Sequence, residues 1–162
     1  MGVILVSVIL GKAAIYDNKN AIQTQSYGAE QRGTKVRSDV IISDSEMISY
    51  PVIDKADILV AISQEAFDFY YPNTKENGFI FINSDLIQFK GDRKNIFKIP
   101  ASEFAKELKN EKVANMIMLG ALIKVTKIVS KEAIIKSISD TVSERYKELN
   151  IKAIEKGFDF FS

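Results

Sequence analysis

The 162-residue chain contains no cysteine, no histidine and no tryptophan. Without cysteine there is no disulfide framework, no thiolate nucleophile and no cysteinyl iron–sulfur ligation. Without histidine there is no Ser-His-Asp triad, no imidazole general base and no ordinary catalytic zinc site. Charge of one sign is also lacking: 22 Lys and Arg stand against 21 Asp and Glu, a net charge of +1. That balance argues against a broad nucleic-acid or anionic-membrane footprint. Catalysis would fall to carboxylates, Lys, Tyr or Ser. Close acidic pairs occur (Asp54 with Asp57, Asp39 with Asp44), but spacing alone does not make them an active site. A subunit that binds or assembles while a partner does the chemistry is the expectation.

What is present is ordinary globular composition, 46% hydrophobic and 27% charged, which at this length implies one domain with a sizeable core. The longest N-terminal apolar run, Val3 to Leu10, resembles a signal-peptide core. No positive residues precede it, no clean cleavage site follows it, and it falls far short of the ~20 residues of a membrane span. Met1-Gly2 invites myristoylation, but the serine stands at position 7 rather than 6. A cytoplasmic protein with no membrane or nucleic-acid partner is expected.

The first half reads as strands and turns, the second as helices. Ala21 to Gln25 is a short strand, followed by turn-rich residues up to Gly33. Lys35 to Ser43 places Val36, Ser38, Val40 and Ile42 on one face and Lys35, Arg37, Asp39 and Ile41 on the other. Ile58 to Ile62 is a strand buried on both faces. Ser63 caps a helix from Gln64 to Tyr71, which Pro72 stops. Asn77-Gly78 is a turn, and Phe79 to Ile82 a second buried strand, so strand, helix and strand make a parallel βαβ unit. A strand at Ile96 to Ile99 precedes helices at Ser102 to Lys109, Val113 to Val125 and Ser130 to Ser139. The Thr141 and Glu144 spacing suggests a capping box for a last helix, ending near Lys156 with Gly157 as its stop. Periodicity alone makes Val3 to Leu10 a buried strand. The fold class is α/β, a three-layer α/β/α Rossmann-like domain with a mainly parallel or mixed sheet and a helical C-terminal part.

No dinucleotide loop, Walker loop, calcium loop or metal-ligand cluster occurs. Unusual residues concentrate between Gln25 and Asp39, where two glycines and a tyrosine sit beside Arg32, Lys35 and Arg37. One reading is a polar hairpin loop with solvated charges. The other is a turn whose glycines let backbone approach a ligand while arginine forks hold carboxylate or phosphate.

The run from Gln23 through Ser26-Tyr27-Gly28-Ala29-Glu30-Gln31-Arg32-Gly33, continuing at Arg37-Ser38-Asp39, closely resembles the gamma subunit of 2-oxoacid:ferredoxin oxidoreductases. Tyr50-Pro51, Asp57 to Ala66, Ile99-Pro100-Ala101 and Val113 to Ala121 follow in the family's order, so the resemblance covers nearly the whole chain. The Ser-Tyr-Gly-x-Glu-x-Arg-Gly loop with Arg-Ser-Asp is most similar to the 2-oxoglutarate branch (2-oxoglutarate synthase) rather than to pyruvate or other 2-oxoacid relatives. Members usually begin with a strand and a Gly-x-Gly-Gly-Gln-Gly turn. This chain starts at what resembles the last glycine of that turn, Gly2. That implies a first helix over Val3 to Ile15, against the strand reading, and a missing first strand and glycine loop.

The resemblance implies a non-cluster gamma subunit, not catalytic alone, of a complex that turns 2-oxoglutarate, coenzyme A and oxidised ferredoxin into succinyl-CoA, CO2 and reduced ferredoxin. The expected partners are alpha, beta and ferredoxin-like delta subunits, with ferredoxin as acceptor. No cofactor is expected on this chain; thiamine diphosphate, Mg2+ and iron–sulfur clusters are expected on the others. The implied site for coenzyme A or a subunit interface is Ser26, Tyr27, Gly28, Glu30, Arg32, Gly33, Lys35 and Arg37. Arg32, Lys35 and Arg37 are the candidates to meet phosphates; alternatively Arg32 pairs with Glu30 or a partner carboxylate as a latch. A stand-alone Rossmann-like binding module and a purely structural assembly subunit are the other readings.

Overall fold

The β-branched N-terminal run is helical. In the computed structural model, which describes residues 2–26, 37–49 and 52–162, α1 spans Gly2–Tyr16. Val and Ile cost only a few tenths of a kcal/mol each in a helix, and Lys12, Ala13 and Ala14 favour one. The apolar residues lie all around it because it is covered on two sides. Ala21, Val40 and Ile42 pack against the cluster that holds Ile9 and Leu10. On the other side Ser137 Oγ donates to the Ile9 carbonyl at 2.8 Å. Asn18, at φ 62°, closes the helix in the left-handed conformation, with Asn18 N–H donating to Ile15 O and Lys19 N–H to Ala14 O, a Schellman closure. The strand reading of Val3 to Leu10 is therefore corrected, and the helix implied by the resemblance stands.

Next comes an antiparallel hairpin, β1 (Asn20–Ser26) and β2 (Arg37–Ser43), paired from Asn20↔Ser43 to Ser26↔Arg37. A separate three-stranded parallel sheet runs β3 (Ala56–Ala61), β4 (Thr74–Asn83), β5 (Ile96–Ile99), with β4 in the centre. Between β3 and β4 lies α2 (Gln64–Tyr70), capped by Ser63, whose Oγ accepts from Ala66 N–H at 3.2 Å. This is the expected βαβ unit, except that β4 starts at Thr74 and runs through Asn77-Gly78, which lie in the strand where its register shifts against β3 and do not form the expected turn. Successive residues of β4 point to opposite layers. Ile80 and Ile82 pack with Phe67 of α2, and Phe81 with the helices beyond. All three are fully buried, so helices cover both faces of the parallel sheet.

The C-terminal part comprises α3 (Ala101–Glu107), α4 (Ala114–Thr126), α5 (Lys131–Thr141) and α6 (Glu144–Phe160). Met116 through Ile123 of α4 are buried without a break, as in a helix with neighbours all around. Two details differ from expectation. Ser143, not Thr141, holds the N-cap conformation of α6, and no side chain caps it; Thr141 is still the last residue of α5. Gly157 does not stop α6 but lies buried within it, facing α4. A Cβ there would fall 1.8 Å from the Ile117 carbonyl oxygen, and one on Gly120 would fall 2.1 Å from that of Ile154. Each glycine thus lets the other helix's backbone approach where a side chain would stand.

At the outer end of the α1–α5 contact Tyr16 donates to the Asp140 carboxylate, Lys12 Nζ donates to Thr141 Oγ1 at 3.1 Å, and the Lys136 ammonium lies 4.4 Å from the Tyr16 ring centre. The hydrogen bond to Asp140 raises the Tyr16 phenol above its ordinary value, with desolvation and the Asp140 charge acting in the same direction. A raised pKa favours the neutral phenol. The bond's contribution is therefore complete below the ordinary pKa near 10 and lost as pH rises through the higher folded value. Difference absorbance titration of the wild type against Tyr16→Phe is expected to isolate one phenol that ionises later than a free tyrosine.

Candidate functional site

Residues 27–36, which hold Tyr27, Gly28, Glu30, Arg32, Gly33 and Lys35 of the predicted site, lie outside the described residues. What the structure places is the hairpin strands on either side of them in the chain. The final pair of the hairpin ladder, Ser26↔Arg37, brackets that segment, so it connects two antiparallel strands.

The two faces of the hairpin are fastened differently, as the alternation of the sequence requires. Toward α1, a polar cluster stands beside the apolar packing of Ala21, Val40 and Ile42. Gln23 Nε2 donates to Ser7 Oγ at 3.1 Å and to Ser38 Oγ at 2.9 Å. Ser38 Oγ donates to Ser7 Oγ at 2.5 Å, and Ser7 Oγ donates to the Ile4 carbonyl at 2.7 Å. Ser7 is nearly inaccessible; its hydroxyl donates within its own helix and accepts from the hairpin, so it joins the two.

On the opposite face Arg37 and Asp39, two residues apart and therefore neighbours, form a bidentate pair. Arg37 Nε lies 2.9 Å from Asp39 Oδ1 and Arg37 Nη2 lies 2.7 Å from Oδ2. The guanidinium also sits 5.6 Å from the Tyr70 ring centre, which ties the hairpin base to the end of α2. The hydrogen bond to Asp39 raises the Arg37 pKa further; partial burial opposes this, and the Asp39 charge adds to it. Arg37 is thus a permanent cation whose fork is already filled by a neighbouring carboxylate. Sequence reasoning had put Arg37 and Asp39 on one face without pairing them; Tyr70, 33 positions on, carried no signal.

Three of the four acids noted as pairs in the sequence are otherwise occupied. Asp39 holds Arg37, Asp44 lies 3.4 Å from Lys19, and Asp57 lies 2.7 Å from Lys75. Asp44 and Asp57 are exposed, as expected of solvated surface acids. Among the described residues no group of three or more His, Cys, Asp or Glu converges to hold a metal ion, and no helix is long and apolar enough to cross a membrane. The two strands thus carry serine and glutamine hydrogen bonds on one face and an arginine fork on the other.

Comparisons with known proteins place this architecture. The family model described as pyruvate ferredoxin/flavodoxin oxidoreductase matches residues 1–160. The chain is 46% identical to 2-oxoglutarate synthase subunit KorC of Methanocaldococcus jannaschii, over 98% of this chain and 87% of that protein. To pyruvate synthase subunit PorC of Methanothermobacter thermautotrophicus it is 28% identical, over 98% of this chain and 88% of that one. The crystal structure of a keto/oxoacid ferredoxin oxidoreductase gamma subunit from Geobacter sulfurreducens matches with a TM-score of 0.86 and 40% identity. That match covers 98% of this chain and 90% of the other.

Proposed function

The chain belongs to the pyruvate ferredoxin/flavodoxin oxidoreductase family, as a gamma subunit of its 2-oxoacid:ferredoxin oxidoreductases, and from that premise we propose that it serves a 2-oxoglutarate-specific complex. The complex would convert 2-oxoglutarate, coenzyme A and two oxidised ferredoxins to succinyl-CoA, CO2, a proton and two reduced ferredoxins. The observation that carries the substrate is the difference between 46% identity to a 2-oxoglutarate synthase subunit and 28% to a pyruvate synthase subunit, at equal coverage of this chain.

Thiamine diphosphate, Mg2+ and iron–sulfur clusters belong to the alpha, beta and ferredoxin-like delta partners in this reading, and they supply decarboxylation and electron transfer. This chain assembles with them and lends its hairpin loop to coenzyme A. Arg32 and Lys35 are the phosphate-binding cations, with Ser26, Tyr27, Gly28, Glu30 and Gly33 shaping the loop around them. Arg37 has a different part. Its fork is engaged by Asp39 and its face by Tyr70, so it anchors the loop's base instead of meeting ligand.

The test is purification of the tagged chain from its native host at low salt, with mass spectrometry of what accompanies it. Subunits with thiamine-binding and cluster-binding sequences are expected in fixed ratio, and the isolated chain is expected to show no viologen-reducing turnover. A chain that purifies alone, or turns over alone, contradicts the reading.

A further inference from the structure

A second basic feature lies far from the hairpin loop. The end of α1, the α4–α5 connection and the last turns of α6 enclose a concavity of about 700 Å³, whose lining includes Lys19, Lys124, Lys127, Lys131 and Phe158. Lys124 Nζ lies 4.8 Å and Lys131 Nζ lies 5.0 Å from the centre of the one Phe158 ring. Two ammonium groups gathered on a single ring repel each other. Among the described residues no carboxylate lies within ion-pair distance of Lys124, Lys127 or Lys131. Lys127, at φ 55°, is held in the left-handed conformation just after α4. Lys124 and Lys127 at the end of α4 suit its negative pole, but Lys131 opens α5, where a cation opposes the dipole. The cluster therefore exceeds what helix electrostatics call for.

The two acids in the lining do not neutralise it. Asp17 is spent on Ser130, accepting from its backbone N–H at 2.6 Å and its Oγ at 2.8 Å. Glu132 pairs with none of the cations among the described residues. The engagement of Asp17 also decides the kind of anion. At the start of α5 the Ser130 N–H is used by Asp17 and the Ala133 N–H by Ser130 Oγ at 3.1 Å, so a full cradle of backbone donors for a small phosphate is not on offer. What remains on offer is a set of flexible point charges around an open hollow, suited to several carboxylates spread along a chain rather than to a planar or cradled group.

We infer that this lysine cleft docks an acidic segment of a partner subunit, an inference that rests on the subunit reading above. The complex purified with the tagged chain is treated with a water-soluble carbodiimide, which couples a lysine amine directly to a touching carboxylate. Links from Lys124, Lys127 or Lys131 to Asp or Glu of another subunit are expected, and they should vanish in about 1 M salt, where the screening length is about 3 Å. An intact complex whose cleft lysines link only within this chain, or not at all, overturns the inference. A second arm uses the full chain with a fluorescein-labelled deca-glutamate peptide. Replacing Lys124, Lys127 and Lys131 together by Gln should weaken binding about tenfold, as for the loss of several exposed ion pairs. A control with Lys55, Lys90 and Lys94 changed to Gln should stay within about twofold. Equal losses in the two triples, or peptide displacement by equimolar inorganic pyrophosphate, contradict a carboxylate-docking cleft. Absence of oxidoreductase subunits from the purified material sinks the subunit reading, and the peptide arm then decides the cleft alone.

Discussion

Gly157→Ala is expected to destabilise the protein by about 2 kcal/mol or more, although alanine is the better helix former. Intrinsic propensity favours the substitution by about 0.8–1.0 kcal/mol. Against it stands a methyl carbon placed 1.8 Å from the Ile117 carbonyl oxygen and 2.7 Å from its carbon. These are backbone atoms of α4 and cannot swing aside, so α6 must move away from a fully packed neighbour. Overpacking of this kind costs roughly 1–3 kcal/mol, occasionally more, and here a whole helix pair has to separate. For a chain of this size a net loss of 2 kcal/mol lowers Tm by about 4–8 °C. Gly120→Ala should behave alike, since its Cβ would meet the Ile154 carbonyl oxygen at 2.1 Å. Gly11→Ala is the counter-case. It is also a helical glycine, but its Cβ would meet only Gln23 Cβ at 3.9 Å, ordinary contact. That variant should gain about 0.5–1 kcal/mol. Thermal melts of the three variants decide the matter: a stabilised Gly157→Ala would mean that the α4–α6 approach is not as close as described.

Arg32→Ala in the assembled complex is expected to weaken coenzyme A about 10- to 150-fold, the equivalent of one charge-assisted hydrogen bond of roughly 1.5–3 kcal/mol. Arg32→Lys should recover part of that, because a point charge does not reproduce the guanidinium fork. The Michaelis constant for the 2-oxoacid should change much less, since in the proposed assembly decarboxylation takes place on partner subunits. Arg37→Ala should act differently. Its pair with Asp39 is partly exposed, with 36% of the arginine side chain accessible, so the loss is held to about 1 kcal/mol after solvent screening. Coenzyme A affinity should follow by no more than about fivefold, and only through a loosened loop base. Calorimetric titration of coenzyme A into the purified variant complexes, with gel filtration to report assembly, separates the two arginines. Equal losses of affinity for both would mean that Arg37 leaves Asp39 and meets ligand itself.

Much of this fold is legible in the sequence because its strongest signals are local. Ile58 to Ile62 and Phe79 to Ile82 are continuous apolar runs bounded by polar residues, and they became β3 and β4 around a helix capped by Ser63. Only β4 is buried on both faces as anticipated, because β3 is an edge strand that leaves Val60 exposed. The alternation in Lys35 to Ser43 correctly placed Ser38, Val40 and Ile42 on one face, and that face is the one that packs on or bonds to α1. What misled was chemistry with two uses. A β-branched apolar run fits a buried strand and equally a helix covered on two sides; only the family resemblance pointed to the helix. A glycine late in a helix can mark its end or a close crossing, and Gly157 is the crossing, which depends on a partner helix some 40 residues earlier. Thr141 carries a capping-box spacing but ends the preceding helix instead. At the candidate site, Arg37 and Asp39 were placed on one strand face, yet their pairing under Tyr70 is a tertiary fact. The lysine cleft was invisible for the same reason: Lys19 and Phe158 are 139 positions apart and meet only through the packing of α1, α4, α5 and α6.

As the gamma subunit of an oxidoreductase, this chain is proposed to serve a complex that selects 2-oxoglutarate. The most direct measurement is coenzyme A-dependent viologen reduction by the co-purified complex, with 2-oxoglutarate and pyruvate compared as substrates through kcat/KM. Turnover is expected to require coenzyme A, to release CO2 and succinyl-CoA, and to favour 2-oxoglutarate by at least about tenfold, or about 1.4 kcal/mol in transition-state binding. An equal or greater kcat/KM for pyruvate, or a stable complex with no 2-oxoacid-dependent reduction, would contradict it.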